Sequence, residues 1–277
     1  MTAEGNPRMI KVLMYHRVVE SGELSRTHWT CVHTQEFRRQ LQLLDRWGFT
    51  TITFDDYRLY LAGDLNLPRR PVVLTFDDGY DDVYTNAFPI LKEFGMKAVV
   101  FVLGNREIKK NFWDEPLNLP TASLMGQQQI VELHAAGFEI GSHTMNHPLL
   151  STLSEDEAWE EISRSRMVLE ILVNSSVRTF CYPYGDVNGS IKQMAEDAGY
   201  AVACSVYTGP ATFGIEPLET RRITIPGALG SIGFATRLLA PYTRYSWVRW
   251  KAKRALSHMS KQYFGTKETR SVPSYTR

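Results

Sequence analysis

The chain has 277 residues, 43% of them hydrophobic and 22% charged, with 31 Lys and Arg against 30 Asp and Glu. That length buries a large single core, and the ordinary composition excludes a disordered, collagen-like or coiled-coil chain. The net charge of +1 hides a split: residues 1–220 carry 19 basic and 29 acidic side chains, whereas 221–277 carry 12 basic ones and one acid, Glu268.

Residues 1–8 hold no apolar stretch, which predicts no signal peptide. Apolar, β-branched runs at 9–15, 50–54, 71–76, 98–103, 138–142, 178–182, 200–206 and 222–225 predict strands. Helical patterns lie between them. Phe37, Leu41, Leu44 and Trp47 recur at helical spacing and stop at Gly48, and Ile130 and Leu133 line a helix that Gly137 ends. Ser154 to Glu157 read as a capping box opening a helix to about Leu172. This alternation predicts one α/β domain over residues 1–230, a parallel sheet with helices outside it, open or closed into a barrel. Residues 104–126 lack periodicity, and loops of that length in compact domains are often functional.

The basic stretch 231–277 follows as an extension. Tyr245, Val248, Ala252, Leu256 and Met259 recur at helical spacing, Arg244, Lys251, Lys253 and Arg254 fall largely on other faces, and Trp247 and Trp250 suit an interface. Such a helix either packs on the barrel with a solvated face or, through 234–260, lies on an anionic lipid surface. No run of 18 apolar residues is present to span a bilayer. Cys31, Cys181 and Cys204 make no disulfide framework, which with the missing leader predicts a cytoplasmic protein, peripheral on the inner membrane face if the extension binds lipid. The basic tail lacks a recognition motif, so nucleic acid is not an expected partner.

Chemistry gathers at the strand ends. The first strand runs into Tyr15-His16, the third into Asp77-Asp78-Gly79, and the fifth into His143, with His147 four residues on. The run 178–182 leads into Pro183-Tyr184-Gly185. In a parallel α/β protein the strand C-termini share one face, so these residues are expected to converge there. Adjacent carboxylates repel unless a cation is near. Two imidazoles and one carboxylate make a three-ligand set that leaves a position for water, as in catalytic zinc, and the other carboxylate is then free to act as base. Taken singly, each feature has a plainer reading: a turn or helix cap, a capped loop, a core histidine. Their joint occurrence at three strand ends favours the metal site.

Thr75-Phe76-Asp77-Asp78-Gly79, Ser142-His143-Thr144-Met145-Asn146-His147-Pro148 and Tyr182-Pro183-Tyr184-Gly185 together resemble the motifs of polysaccharide deacetylases, the NodB-homology carbohydrate esterases, over roughly residues 9–226. The resemblance implies a distorted (β/α) barrel of about seven parallel strands. It also implies a divalent metal, zinc first with cobalt or nickel as alternatives, and hydrolysis of the N-acetyl amide of an N-acetylhexosamine glycan. By position, Asp77 is then the base, Asp78, His143 and His147 the metal ligands, and Tyr184 a backbone N–H donor to the oxyanion.

Two departures stand out. Cys181 occupies the place where many members carry an arginine that pairs with the base, and no Leu-x-His motif follows residue 200 to supply an acid. The chain is more similar to the permuted poly-β-1,6-N-acetylglucosamine deacetylase branch. There an early Tyr-His supplies the acid, which implies His16, and a late Arg-Ile pair implies that Arg222 replaces the missing arginine. The plainer reading of Arg222 is a solvated charge on a strand edge. Trp113, Tyr182 and Tyr184, with Pro183 beside them, are candidates to stack on sugar rings or are simply packing. The expected substrate is an N-acetylated glycan or a lipid-linked saccharide, and without an export signal an intermediate such as the latter is expected over a mature extracellular polymer. The rival readings are a non-catalytic sugar-binding protein on the same fold and an amidohydrolase acting on a small cyclic amide.

Overall fold

Short strands that are apolar on both faces belong to parallel sheets that are covered on both sides. In the computed structural model, which describes residues 10–117, 121–206, 213, 216–227, 229–238, 245 and 248, these strands are β1 (Lys11–Tyr15), β2 (Arg17–Val19), β3 (Cys31–His33), β4 (Thr50–Thr51), β5 (Pro71–Phe76), β6 (Val99–Val102), β7 (Glu139–Ser142), β8 (Thr179–Cys181), β9 (Val202–Cys204) and β10 (Ile223–Thr224). The helices are α1 (Gly22–Thr27), α2 (Thr34–Arg46), α3 (Phe54–Ala62), α4 (Phe88–Glu93), α5 (Gln127–Ala135), α6 (Glu155–Val173), α7 (Gly189–Asp197) and α8 (Ser231–Arg237).

Seven strands lie side by side in the order β10-β1-β5-β6-β7-β8-β9, with β4 paired to the start of β5, and every one of these pairings is parallel. Between the ends of the row, Cys204 of β9 bridges only to Thr220, in the segment that leads into β10. The result is a distorted (β/α) barrel, as the motif resemblance implied.

Side chains alternate between the two faces of each strand. Val12, Val73, Val99, Phe101, Cys181, Val202 and Cys204 form one cluster with Phe54 and Tyr57 of α3, which closes the N-terminal end of the barrel. Leu13, Leu74, Val100, Phe180 and Ala203, one residue away from these, pack in a second cluster beneath the outer helices. Gly141 is needed on the inner face, where a Cβ would stand 2.4 Å from the Phe101 ring and 2.8 Å from Thr179 Oγ1.

Two local readings change. Residues 50–54 form a strand only over Thr50–Thr51, because Thr53 caps α3 and Asp56 returns the bond to the Thr53 N–H. That capping box stops the strand. The pair β2–β3, three residues each, has no readable period and was not anticipated. The box at Ser154 and Glu157 opens α6 as expected, and Asn174 ends it in a left-handed conformation.

Phe234 and Leu238 pack in the core at α8. Beyond residue 238 only the exposed Tyr245 and Val248 are described, so the expected helix and Trp247 and Trp250 lie outside the described residues. No described helix is long and apolar enough to cross a membrane.

Candidate active site

Asp77 follows β5 on the inward line Val73, Thr75, Asp77. Its N–H donates to Tyr15 O (3.1 Å), which extends the β1–β5 ladder by one rung, and the His143 N–H likewise donates to Val102 O (2.9 Å). Both side chains therefore stand on backbone held by the sheet, which makes their placement rigid.

Below Asp77 lies Arg222, fully buried. Nη1 donates to Asp77 Oδ1 (2.6 Å) and Thr75 Oγ1 (3.0 Å), and Nη2 donates to Asp77 Oδ2 (2.7 Å) and Cys181 Sγ (3.1 Å). Nε donates to Ser205 O (2.8 Å), and the guanidinium carbon lies 5.7 Å from the centroid of the Phe101 ring. A buried ion pair loses hydration on both partners, so it survives only with a two-pronged contact and its remaining donors satisfied. Both conditions hold. Burial pushes the Asp77 carboxyl upward, but the Arg222 charge and hydrogen bonds, helped by His16 and His143, hold it below the usual carboxylate range. Arg222 is thus not a solvated edge charge.

Asp78, His143 and His147 meet one residue further out, with ligand atoms within 4.8 Å of one another and all three side chains buried. His143 Nε2 lies 3.1 Å and His147 Nε2 3.3 Å from the same oxygen, Asp78 Oδ1. His143 Nδ1 faces Cys181 O at 2.7 Å, an N–H donor contact that turns the Nε2 lone pair toward Asp78. Two imidazole nitrogens directed at one carboxylate make a nitrogen-nitrogen-oxygen donor set that fits a divalent zinc-like ion. Burial opposes ionisation of Asp78, yet the His143 and His147 contacts hold its carboxyl well below the usual range.

The backbone here is strained. Asp78, Thr144, His147 and Tyr184 have φ of 71°, 66°, 61° and 58°. Among the described residues the only other non-glycine with positive φ is Asn174, the α6 cap. Such conformations cost on the order of 1–3 kcal/mol each and persist where surrounding contacts impose them. For the histidine loop those contacts come from α6. Glu161 accepts from the Asn146 N–H (2.9 Å) and from Asn146 Nδ2 (2.5 Å), and Asn105 Nδ2 donates to Asn146 Oδ1 (2.8 Å). Thr144 Oγ1 accepts from the His147 N–H (3.0 Å).

Around the cluster, the Trp113 ring stacks on His147 at 4.1 Å and 16°, and Tyr184 meets the same ring edge-on at 4.8 Å. His16 is half-buried against Trp29, close enough to stabilise the charges of both Asp77 and Asp78. The next residue, Arg17, pairs with Asp82 at 2.8 Å, which ties the His16 segment to the segment that carries Asp77 and Asp78.

Tyr182 and Pro183 do not face this cluster. Because Cys181 points into the barrel, Tyr182 points outward; its ring is buried edge-on against Phe180 and its hydroxyl donates to Leu218 O (3.0 Å). Pro183 is buried in the following turn. Neither can stack on a sugar. Trp113 lies beside the cluster but is nearly buried, and one face of its ring is spent on His147. Sequence reasoning missed Glu161, Asp82, Trp29 and Tyr80, and it reached Asp114 only as part of the aperiodic stretch 104–126.

A family profile for polysaccharide deacetylases matches residues 64–203. YxkH of Bacillus subtilis (strain 168) is 29% identical over 227 residues, 81% of this chain and 75% of the relative. The poly-β-1,6-N-acetyl-D-glucosamine N-deacetylase of Staphylococcus epidermidis is 28% identical over 176 residues, 60% of this chain and 58% of that protein's length. Among solved structures, the deacetylase PplD of Streptococcus pyogenes in complex with acetate superposes with a TM-score of 0.73 at 27% identity, covering 84% of this chain and all of the other. With the motifs, the barrel and the profile match in agreement, this chain belongs to the polysaccharide deacetylase family.

Proposed function

We propose that the protein is a metal-dependent hydrolase that removes N-acetyl groups from an N-acetylhexosamine-containing glycan. The observation that carries this reading is the pair of adjacent carboxylates with separate partners: Asp77 locked to Arg222, and Asp78 sharing one oxygen with two histidines. One relative is a poly-β-1,6-N-acetyl-D-glucosamine N-deacetylase, which supports the same reading.

Asp78, His143 and His147 would hold the ion, zinc in first place, which when bound supplies Lewis acidity toward the acetamide carbonyl and the attacking water. Asp77, kept ionised and fixed by Arg222, takes a proton from that water as its oxygen bonds to the carbonyl carbon. The Tyr184 N–H, on strained backbone, donates to the oxygen that becomes negative. His16, protonated, then donates to the sugar nitrogen as the C–N bond breaks, because an amide nitrogen does not leave as an anion. The products are acetate and the free amine.

The test is acetate release from N-acetylglucosamine oligomers by the full chain loaded with zinc, before and after chelation. Release that stops with the chelator and returns with added metal supports the reading. Glycan binding with no acetate release in any metal form refutes it and leaves a sugar-binding protein.

A further inference from the structure

The two histidines of the Asp78 cluster are supported in different ways. His143 Nδ1 donates to Cys181 O (2.7 Å), so a hydrogen bond fixes its ring. His147 is also buried, yet among the described residues its Nδ1 has no hydrogen-bond partner. A ligating histidine almost always uses its second nitrogen to set its orientation. What lies against His147 instead is aromatic. The Trp113 ring is nearly parallel to it, at 4.1 Å and 16°, and Tyr184 meets it edge-on at 4.8 Å and 74°.

Trp113 is itself held for this contact. It lies in the turn Phe112–Leu117, with only 9% of its surface exposed. Just before it, the fully buried Asn111 donates its N–H to Ala122 O (3.2 Å) and accepts from the Ala122 N–H at Oδ1 (2.5 Å), which ties the stretch 104–126 across itself. Asn111 Nδ2 donates to Asp114 Oδ2 (2.5 Å), and the Tyr80 hydroxyl donates to the same oxygen (3.4 Å). The indole is therefore fixed from both sides along the chain, and a fixed ring can fix the one it lies on.

We propose that Trp113 is a positioning residue of the metal site: its indole face takes the place of the missing hydrogen bond and keeps His147 Nε2 directed at Asp78, 3.3 Å away. The inference rests on the metal-dependent reading of the cluster. With Trp113 flat on one side and Tyr184 against the ring, the imidazole cannot turn without displacing a nearly buried indole. The same contact favours the metal-loaded state. An indole face is negative, and an imidazole that gives its lone pair to a divalent ion becomes electron-poor, so the attraction between the rings grows on binding. A contact that is stronger with the ion than without it adds to the affinity for the ion.

The experiment measures the zinc affinity of the full chain by competition with a colorimetric chelator, for wild type, Trp113→Leu and Trp113→Phe. Both variants keep a large apolar side chain in the site, but only phenylalanine keeps a ring face. Leucine is expected to weaken zinc binding about 10-fold, the low end of what losing a ligand-orienting contact costs, and phenylalanine to lie closer to wild type. The absorption spectrum of the cobalt-loaded chain should shift with leucine and stay near wild type with phenylalanine, a signature that a purely structural role would not move. Equal zinc affinity in wild type and both variants, or equal losses in the two variants, overturns the inference. So does a raised KM at unchanged zinc affinity, which marks a residue that stacks on the sugar. A wild-type chain that binds no zinc strikes instead at the metal reading on which the inference rests.

Discussion

Arg222 reaches from the start of the last barrel strand to grip both oxygens of Asp77, at 2.6 and 2.7 Å, across a separation of 145 residues. Cys181 makes this possible. Its small side chain, on the adjoining inward position of β8, leaves room for the guanidinium and touches it at 3.1 Å. The carboxylate proposed as base is therefore held ionised by a charge from the far end of the domain.

Arg222→Ala should leave Asp77 buried and unpaired, a loss of roughly 3–5 kcal/mol where a buried pair is broken from one side. Arg222→Lys should recover little, because an ammonium cannot make the two-pronged contact. Denaturant midpoints of the two variants measure this, and a midpoint near wild type for Arg222→Ala would contradict the account.

Asp77→Asn keeps the shape of the site and removes its base. Acetate release should fall by at least about 100-fold, the low end of a general base's contribution. Zinc content should be unchanged, since Asp77 is not among the three converging ligand atoms. A variant that loses its metal, or stays fully active, shows that the two aspartates have been given the wrong roles.

Glu161 touches no candidate ligand directly, yet it grips Asn146 between His143 and His147. Glu161→Ala should weaken zinc binding about 10–100-fold, the usual cost of losing a contact that orients a ligand. Competition with a colorimetric chelator reads this directly. At saturating zinc most of kcat should return, whereas a general folding defect would not be rescued by metal.

Glu139 stands at the opposite end of the barrel, where it accepts from the Asp55 N–H (3.0 Å) at the start of α3. Burial, and then the charge of Asp55, push its carboxyl up to about 7 from 4.5. A raised folded-state value means the protonated form is favoured by folding, so the contribution is complete below pH 4.5 and fades as pH rises through about 7. Melting temperature should therefore decline across that window from this group, and Glu139→Gln should flatten the decline. Parallel wild-type and variant curves would dismiss the effect.

The order of residues alone placed His16, Asp77, Asp78, His143 and His147 at strand ends, and a parallel fold brings such ends to one face. Apolar runs and capping signals located most strands and helices for the same reason: they depend on neighbours within a few positions. The tertiary structure decided what local pattern cannot carry. A buried arginine and a solvated one look alike in sequence, so the burial of Arg222 depended on Cys181, Ser205 and Phe101 lining one interior. The face taken by Tyr182 depended on which of two adjacent residues pointed inward, and the barrel settled that in favour of Cys181. Glu161 acquires its meaning only from its partner Asn146 in another segment, because the contacts that orient a site come from surfaces that meet after the chain has folded.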